Sequence, residues 1–463
     1  MSYFLAGLTS NILVILFYSR CGAHRALDCF LLDLGHSIYQ LNQFRIEESM
    51  RIRFAQKAAL LIFYRLGILL LSLLFLIAIA GLPFLLVNTS LAVLKAHLLP
   101  LLAGAALPIL VYLLIPKQCR SDEYPPSKQL FYYMTLGVPA LGNFCFKCER
   151  LAFPHLQRPS QTLIVTGLAR AGTTALLRLL NQHSNTWSFT YRHMPFLLSS
   201  RLWVRLNRTN AVARERSHQD GILVGLDSPE AFDEYFWRVI LQERYYGDQD
   251  LSAHEITEKE ICRYEMHVAA HLKPEQVYLS KNNNFLLRAK SVLAQRDDYF
   301  LVIVFREPLD HIDSLYRQHH LQKNDQEERP FALDYMDMLG HHEFGQGRRD
   351  FRFDGDSFEF HDPNDHNYWL ERWIDYYRFA LTIDHRAVQY VSNQTIAESP
   401  EAISNEIFVA VHLDPEEICC EPPKSQRDIE QPEHKQLCQK FVEQARAIYR
   451  ELQQREIDHP SLQ

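Results

Sequence analysis

Between Thr166 and Thr174, Gly167 and Gly172 are separated by four residues, behind an apolar run, Leu163-Ile164-Val165. Leucines at helical spacing follow through Gln182, so a helix is expected over Thr174–Gln182. A strand that enters such a loop and leaves as a helix gathers backbone N–H groups at a positive helix end, which is an anion site. Arg170 adds a cation, and Thr173 and Thr174 add hydroxyl donors. A nucleotide triphosphatase loop of the G-x-x-x-x-G-K-[ST] type needs lysine at position 173, where this chain has threonine. The plainer alternative is a glycine-rich turn that caps a helix.

A second constellation lies further along. Leu301 to Phe305 is a buried-type strand ending in Arg306; Pro308 marks the start of the next helix, and Ser314 stands eight residues after Arg306. A strand-end arginine and a hydroxyl two turns into the next helix can reach one phosphate at the carboxyl edge of a sheet. Lys281, 25 residues before Arg306, ends another strand and is followed by Asn282, Asn283 and Asn284.

With both constellations in this order, the chain resembles the sulfotransferases that use 3′-phosphoadenosine 5′-phosphosulfate (PAPS), in particular a membrane-anchored, bacterial-type carbohydrate or glycan branch. The family's 5′-phosphosulfate loop, P-[KR]-[SA]-G-T-T, is matched by Ala169, Arg170, Ala171, Gly172, Thr173 and Thr174, with alanine in place of the usual proline at 169. Its 3′-phosphate element is matched by Arg306 and Ser314. The resemblance implies PAPS as donor, no required metal, and roles for Arg170 and Lys281 beside the transferred group. It implies the sulfotransferase fold, an α/β P-loop-like parallel sheet flanked by helices.

The catalytic base is less well marked. Cytosolic members carry a Lys-Thr-His-type strand end where this chain has asparagines after Lys281. Other branches take a glutamate just after the second strand, where this chain reads Ser188-Phe189-Thr190-Tyr191-Arg192-His193-Met194-Pro195-Phe196. His193 is the expected base, since a reference pKa near 6.5 suits proton transfer at neutral pH; the competing reading is a structural histidine. Arg192, His218, Asp220 and Glu230 are acceptor-side candidates, with Glu234 as the alternative to Glu230. Ser228-Pro229 also reads as a helix start, in which case Glu230 simply complements the dipole. His267 and His271 have metal-helix spacing without the glutamate of H-E-x-x-H, and Tyr368, Trp369, Trp373, Tyr376 and Tyr377 read as a packing stripe.

The elements that must position these residues follow from the pattern. Strands are expected at Thr162–Thr166, Thr186–Tyr191, Gln276–Ser280 and Tyr299–Phe305 with helices between them, the alternation of a parallel α/β sheet. Ahead of that lies an apolar region. Leu66–Val87 gives 22 uncharged residues and Leu98–Pro116 gives 19, joined by ten, which predicts a two-helix transmembrane hairpin. Arg51, Arg53, Lys57 and Arg65 before the first span, and Lys117, Arg120 and Lys128 after the second, place both ends in the cytoplasm. Residues 3–19 read as an interfacial helix, with a third span as the alternative.

The expected organisation is thus an interfacial segment at 1–57, the hairpin at 58–116, a linker at 117–159, the catalytic domain at 160–440 and a tail helix at 441–463. The expected location is a bacterial inner membrane with the catalytic domain cytoplasmic, acting on a glycan or lipid-linked hydroxyl. Net charge is −7 over 463 residues, which argues against a nucleic-acid partner. Nine scattered cysteines, among them Cys145 and Cys148, fit reduced thiols. A phosphoryl-transfer enzyme with a degenerate loop and a non-catalytic membrane scaffold that binds 3′,5′-ADP remain the alternatives.

Overall fold

The computed structural model describes residues 23–43, 47–88, 124–154, 158–207, 214–215, 223–353, 358–419 and 437–457. The chain divides into two compact units, Met1–Pro139 with Glu328–Phe331, and Ala140–Glu327 with Ala332–Gln463.

In the first unit, α1 (Ala23–Leu41) packs on α2 (Glu48–Asn88), with α3 (Pro126–Thr135) beside α1. Ala26 and Ile68 form a small buried cluster, and Arg65 Nε donates to Asp33 Oδ2 at 2.6 Å. Helix α2 has 41 residues. At about 1.5 Å per residue it is longer than a hydrocarbon core of roughly 30 Å. Its side chains Leu60, Phe63, Leu70, Leu74 and Ile77 are exposed, and by length and composition it could cross a membrane. The expected first span falls within this helix; the second span, Leu98–Pro116, and residues 3–19 lie outside the described residues. Cys29 is disulfide-bonded, contrary to an all-thiol chain, whereas Cys145, Cys148, Cys262, Cys419 and Cys438 are free.

The second unit is built on five parallel strands, β1 (Thr162–Thr166), β2 (Thr186–Trp187), β3 (Val277–Lys281), β4 (Tyr299–Phe305) and β5 (Val388–Ser392), in the order β2-β3-β1-β4-β5. Strands β1, β4 and β5 are buried throughout, the signature of a sheet covered on both faces. Helices α4 (Thr173–Leu180) and α9 (Asn393–Glu398) pack on these strands; α5 (Asp233–Leu241), α6 (Pro308–Glu328), α7 (Pro330–Leu339) and α8 (His366–Leu381) are the other helices that bear on the site. The core on one face joins Leu163, Val165, Leu176, Leu177 and Leu180 to Val302, Val304 and Val391.

Strands β1 and β4 match their expected bounds. Strand β2 is shorter than expected because Ser188 Oγ donates to the Leu279 carbonyl at 2.6 Å, and the chain then turns into a 3₁₀ segment at Tyr191–His193. Strand β5 was not expected at all. The chain leaves β1 toward β3 and β2 on one side, then returns to β4 and β5 on the other, so β1 stands where the winding reverses. Ligands of open α/β sheets bind beyond the carboxyl ends of the strands at that point.

Candidate active site

The loop after β1 is shaped by close approach. Gly167 has φ 154°, and a Cβ there would lie 2.5 Å from the Val304 carbonyl oxygen. Gly172 has φ 107°, and a Cβ would collide with Asn393 Nδ2. Arg170 takes a left-handed φ of 71°. That conformation costs a non-glycine residue roughly 1–2 kcal/mol, so other contacts must hold it. Ala171 N donates to the Leu168 carbonyl at 3.1 Å, and Arg170 Nε donates to Ser314 Oγ at 3.3 Å.

A cavity of about 350 Å³ opens at the carboxyl edge of the sheet. Its wall takes Ala169, Arg170, Gly172, Thr173 and Thr174 from the β1 loop, Lys281 and Asn283 from the end of β3, Arg306 from the end of β4, and Asn393 from α9 after β5. The expected loop residues, strand-end lysine and strand-end arginine therefore share one wall. Ala171 is fully buried behind it, and Ser314 is buried on α6 against Arg170. Burial pulls the Arg306 guanidinium below its usual range, with Asp310 acting in the opposite direction.

Facing the cations is Glu230. An isolated bridge between Thr190 and Pro229, with Glu230 N donating to the Phe189 carbonyl at 3.1 Å, sets this segment beside the end of β2. The Glu230 carboxylate accepts from Tyr191 Oη at 3.3 Å and from Ala231 N at 3.0 Å, and its Oε1 lies 3.6 Å from Lys281 Nζ. Both side chains of that ion pair are about nine-tenths buried, at 10% and 11% exposure. A second carboxylate on the wall, Glu343, accepts from Asn283 Nδ2 at 3.0 Å. Burial raises its pKa, but His341, Lys281 and its hydrogen bonds outweigh this and hold it below the usual carboxylate range. His341 Nε2 sits 2.7 Å from the Ala231 carbonyl. Tyr191, Phe232, Tyr335, Met336, Leu339 and Phe344 supply an aromatic and apolar side to the cavity.

His193 does not line this cavity. Its ring is buried against Trp187, Phe189 and His271, and its Nδ1 accepts from Thr190 N at 2.9 Å. Burial in this nest lowers its pKa to about 4, away from the range expected of a base at neutral pH. Arg192 is also off the wall, paired to Asp227 through bonds of 2.6 and 2.7 Å. Glu234 is buried behind the site, where it accepts from Arg288 at 2.9 and 3.1 Å and from Asn282 Nδ2 at 2.9 Å. His218 and Asp220 lie outside the described residues. His267 is buried and His271 partly buried in the same aromatic nest as His193, and no metal-ligand cluster occurs among the described residues.

The asparagines after Lys281 have structural partners: Asn282 holds Glu234, Asn283 holds Glu343, and Asn284 Nδ2 reaches the Gly340 carbonyl at 3.3 Å. Of the other wall residues, Tyr191, Glu343 and Asn393 are not singled out in the sequence, and His341 reads with His342 as a loose pair that converges on no ligand set. Tyr191 alone carried a local signal, through the segment quoted for His193.

In comparison with known proteins, no family model and no curated protein matches the chain. Among solved structures it is similar to a sulfotransferase from Alicyclobacillus acidocaldarius, at 13% identity over 65% of this chain and 95% of that one, with a TM-score of 0.31. It is also similar to sulfotransferase STF1 from Mycobacterium tuberculosis, at 13% identity over 80% and 98% of the two chains and a TM-score of 0.35. Sulfotransferase STF9 from Mycobacterium avium gives 13% identity, 72% and 79% coverage, and a TM-score of 0.35. Likeness at that level bears no weight on function; the residues of the cavity do.

Proposed function

We propose that the chain is a PAPS-dependent sulfotransferase acting on a hydroxyl of a glycan or lipid-linked acceptor, anchored to a membrane through its N-terminal region. The observation that carries the reading is one cavity wall holding Arg170 with its Thr173–Thr174 helix end, and Arg306 on the neighbouring strand, with the Lys281–Glu230 pair beside them. Two separate anion-binding groups suit a donor phosphorylated at both ends of its ribose. A triphosphate site would instead concentrate its cation on the loop and add a metal-holding acid.

In this reading the donor's 5′-phosphosulfate lies over the α4 N-terminus and Arg170, and its 3′-phosphate meets Arg306, with Ser314 behind the wall holding Arg170. Glu230 takes the base role expected of His193, because Glu230 is on the wall and His193 is not. Its carboxylate accepts the acceptor's hydroxyl proton as that oxygen bonds to sulfur. The bond between sulfur and the bridging phosphate oxygen breaks, and its electron pair leaves on 3′,5′-ADP. Lys281 and Arg170 stabilise that developing charge, as preorganised donors do in other group transfers. The carboxylate of Glu230 is already oriented by Tyr191 and the Ala231 amide, which suits directional proton transfer.

The test is transfer of labelled sulfate from PAPS to membrane glycan and lipid extracts, with Arg306→Ala as control and EDTA as a further arm. Transfer that survives EDTA and falls in Arg306→Ala supports the reading. Transfer abolished by EDTA favours a metal-dependent phosphoryl enzyme. A wild-type protein that neither transfers sulfate nor binds 3′,5′-ADP overturns it.

A further inference from the structure

His311 lies on α6 between Arg306 and Ser314, and its side chain is wholly buried. Trp373 Nε1 is 3.2 Å from His311 Nδ1, and His311 Nε2 is 2.8 Å from the Ala169 carbonyl oxygen. An indole N–H can only donate. Nδ1 must therefore be the acceptor, which leaves the ring proton on Nε2, where it donates to Ala169. These two partners fix the tautomer without appeal to pH. Burial outweighs the opposing hydrogen bond to Ala169, lowers the imidazole pKa to about 3 and agrees with an uncharged ring.

The acceptor is informative. The Ala169 carbonyl belongs to the peptide plane that leads into Arg170, and the orientation of that plane sets the φ of 71° at Arg170. A non-glycine residue leaves this region readily unless something holds the plane. Helix α6 holds it from one side through His311, and one turn later Ser314 Oγ accepts from Arg170 Nε. Two adjacent loop residues are thus tied to the helix that begins just past Arg306.

We propose that His311 is a positioning residue of the anion loop: its Nε2–H, oriented by Trp373, locks the Ala169–Arg170 peptide and so fixes the span between the Arg170 and Arg306 ends of the donor site. The inference rests on the reading of the cavity as a site for a doubly phosphorylated donor. His311 supplies by a hydrogen bond the stiffness that a proline at position 169 would give covalently.

The test uses the full chain and 3′,5′-ADP as probe, with affinity read by titration calorimetry, fold by thermal unfolding, and PAPS kinetics in parallel. His311→Leu removes both hydrogen bonds, and a loss of about tenfold in affinity is expected, the scale of one well-placed hydrogen bond. The PAPS KM rises with it, and kcat at saturating donor changes less. His311→Gln retains an amide donor near the Nε2 position and restores affinity toward wild type. Trp373→Phe, which removes the orienting donor, gives a smaller loss of the same sign. If wild type binds the probe and His311→Leu binds it equally well, the inference is overturned while the donor reading stands. Equal losses in the Leu and Gln variants, with matching losses of thermal stability, also overturn it, as a purely structural effect. If wild type binds neither 3′,5′-ADP nor PAPS, the donor reading itself falls.

Discussion

Glu230 Oε1 lies 3.6 Å from Lys281 Nζ, and the two residues arrive from unrelated segments, one bridged to the end of β2 and the other at the end of β3. The pair is largely shielded, so each charge depends on the other, and both face the loop that carries Arg170. The contact brings a proton acceptor and a cation together at the sheet's carboxyl edge.

Glu230→Gln keeps the shape and removes the basic oxygen. The expected outcome is a fall in kcat of about 10²- to 10⁴-fold, the usual contribution of a general base, with 3′,5′-ADP affinity little changed. His193→Gln is expected to retain most of its rate. Steady-state assays on both variants, with calorimetric titration of each, separate the two candidates. The reverse pattern would return the base role to His193.

Arg306→Ala removes a half-buried guanidinium from the cavity wall. Charge-assisted hydrogen bonds contribute about 1.5–3 kcal/mol. The variant should therefore bind 3′,5′-ADP roughly 10- to 100-fold more weakly, since 1.4 kcal/mol is tenfold. Titration against 5′-AMP, which lacks the 3′-phosphate, should show a much smaller difference between variant and wild type.

Arg288 is wholly buried and forms two hydrogen bonds to Glu234, whose carboxylate also receives Asn282 and Tyr245. Burial opposes the Glu234 charge, but Arg288 and the hydrogen bonds outweigh it and keep the pKa low. Breaking one side of a buried pair strands the other charge, at a cost of about 3–5 kcal/mol. Urea unfolding of Arg288→Met should show a loss on that scale. Asn282 adjoins Lys281, so residual activity should fall along with stability.

His193, at about 4, and His267, at about 3, have pKa values pushed down chiefly by burial from a reference of 6.5. The unfolded chain therefore binds protons that the folded chain excludes as the pH falls below 6.5. The stability contributed by the neutral rings is complete above pH 6.5 and is lost progressively toward pH 4. Each such group contributes a slope of up to about 1.4 kcal/mol per pH unit in that window. His193→Phe, which keeps a ring in the nest, should lessen the loss between pH 7 and pH 5. Denaturant unfolding at the two pH values checks this; an unchanged slope would mean that His193 does not titrate this way.

The sequence by itself determined the parts whose cause is local. The apolar run Thr162–Thr166 with its glycine-framed loop specified a strand, a tight loop and a helix. The run Tyr299–Phe305, ending in Arg306 and Pro308, specified a second strand end with a cation. Both appear at their expected bounds, because a buried parallel strand reads as a continuous apolar run and glycine or proline punctuates its end. The composition of Leu66–Val87 likewise specified a long apolar helix, now seen within α2. Strand β5 escaped notice because Gln389, buried and bonded to Glu406 at 2.5 Å, interrupts an already short apolar run.

Tertiary structure decided which acid or base meets the loop. His193 and Glu230 are both legible in the sequence as candidates. Their burial depends on where the chain turns after β2 and on the bridge from Thr190 to Pro229, contacts between residues 39 apart that no local periodicity encodes. Glu343 and His341 join the wall only through the fold, in a segment without regular structure after α7. The tautomer of His311 depends on Trp373, 62 residues away. Local pattern fixes an element and its ends; the chemistry of a site depends on which ends meet, and only packing selects that.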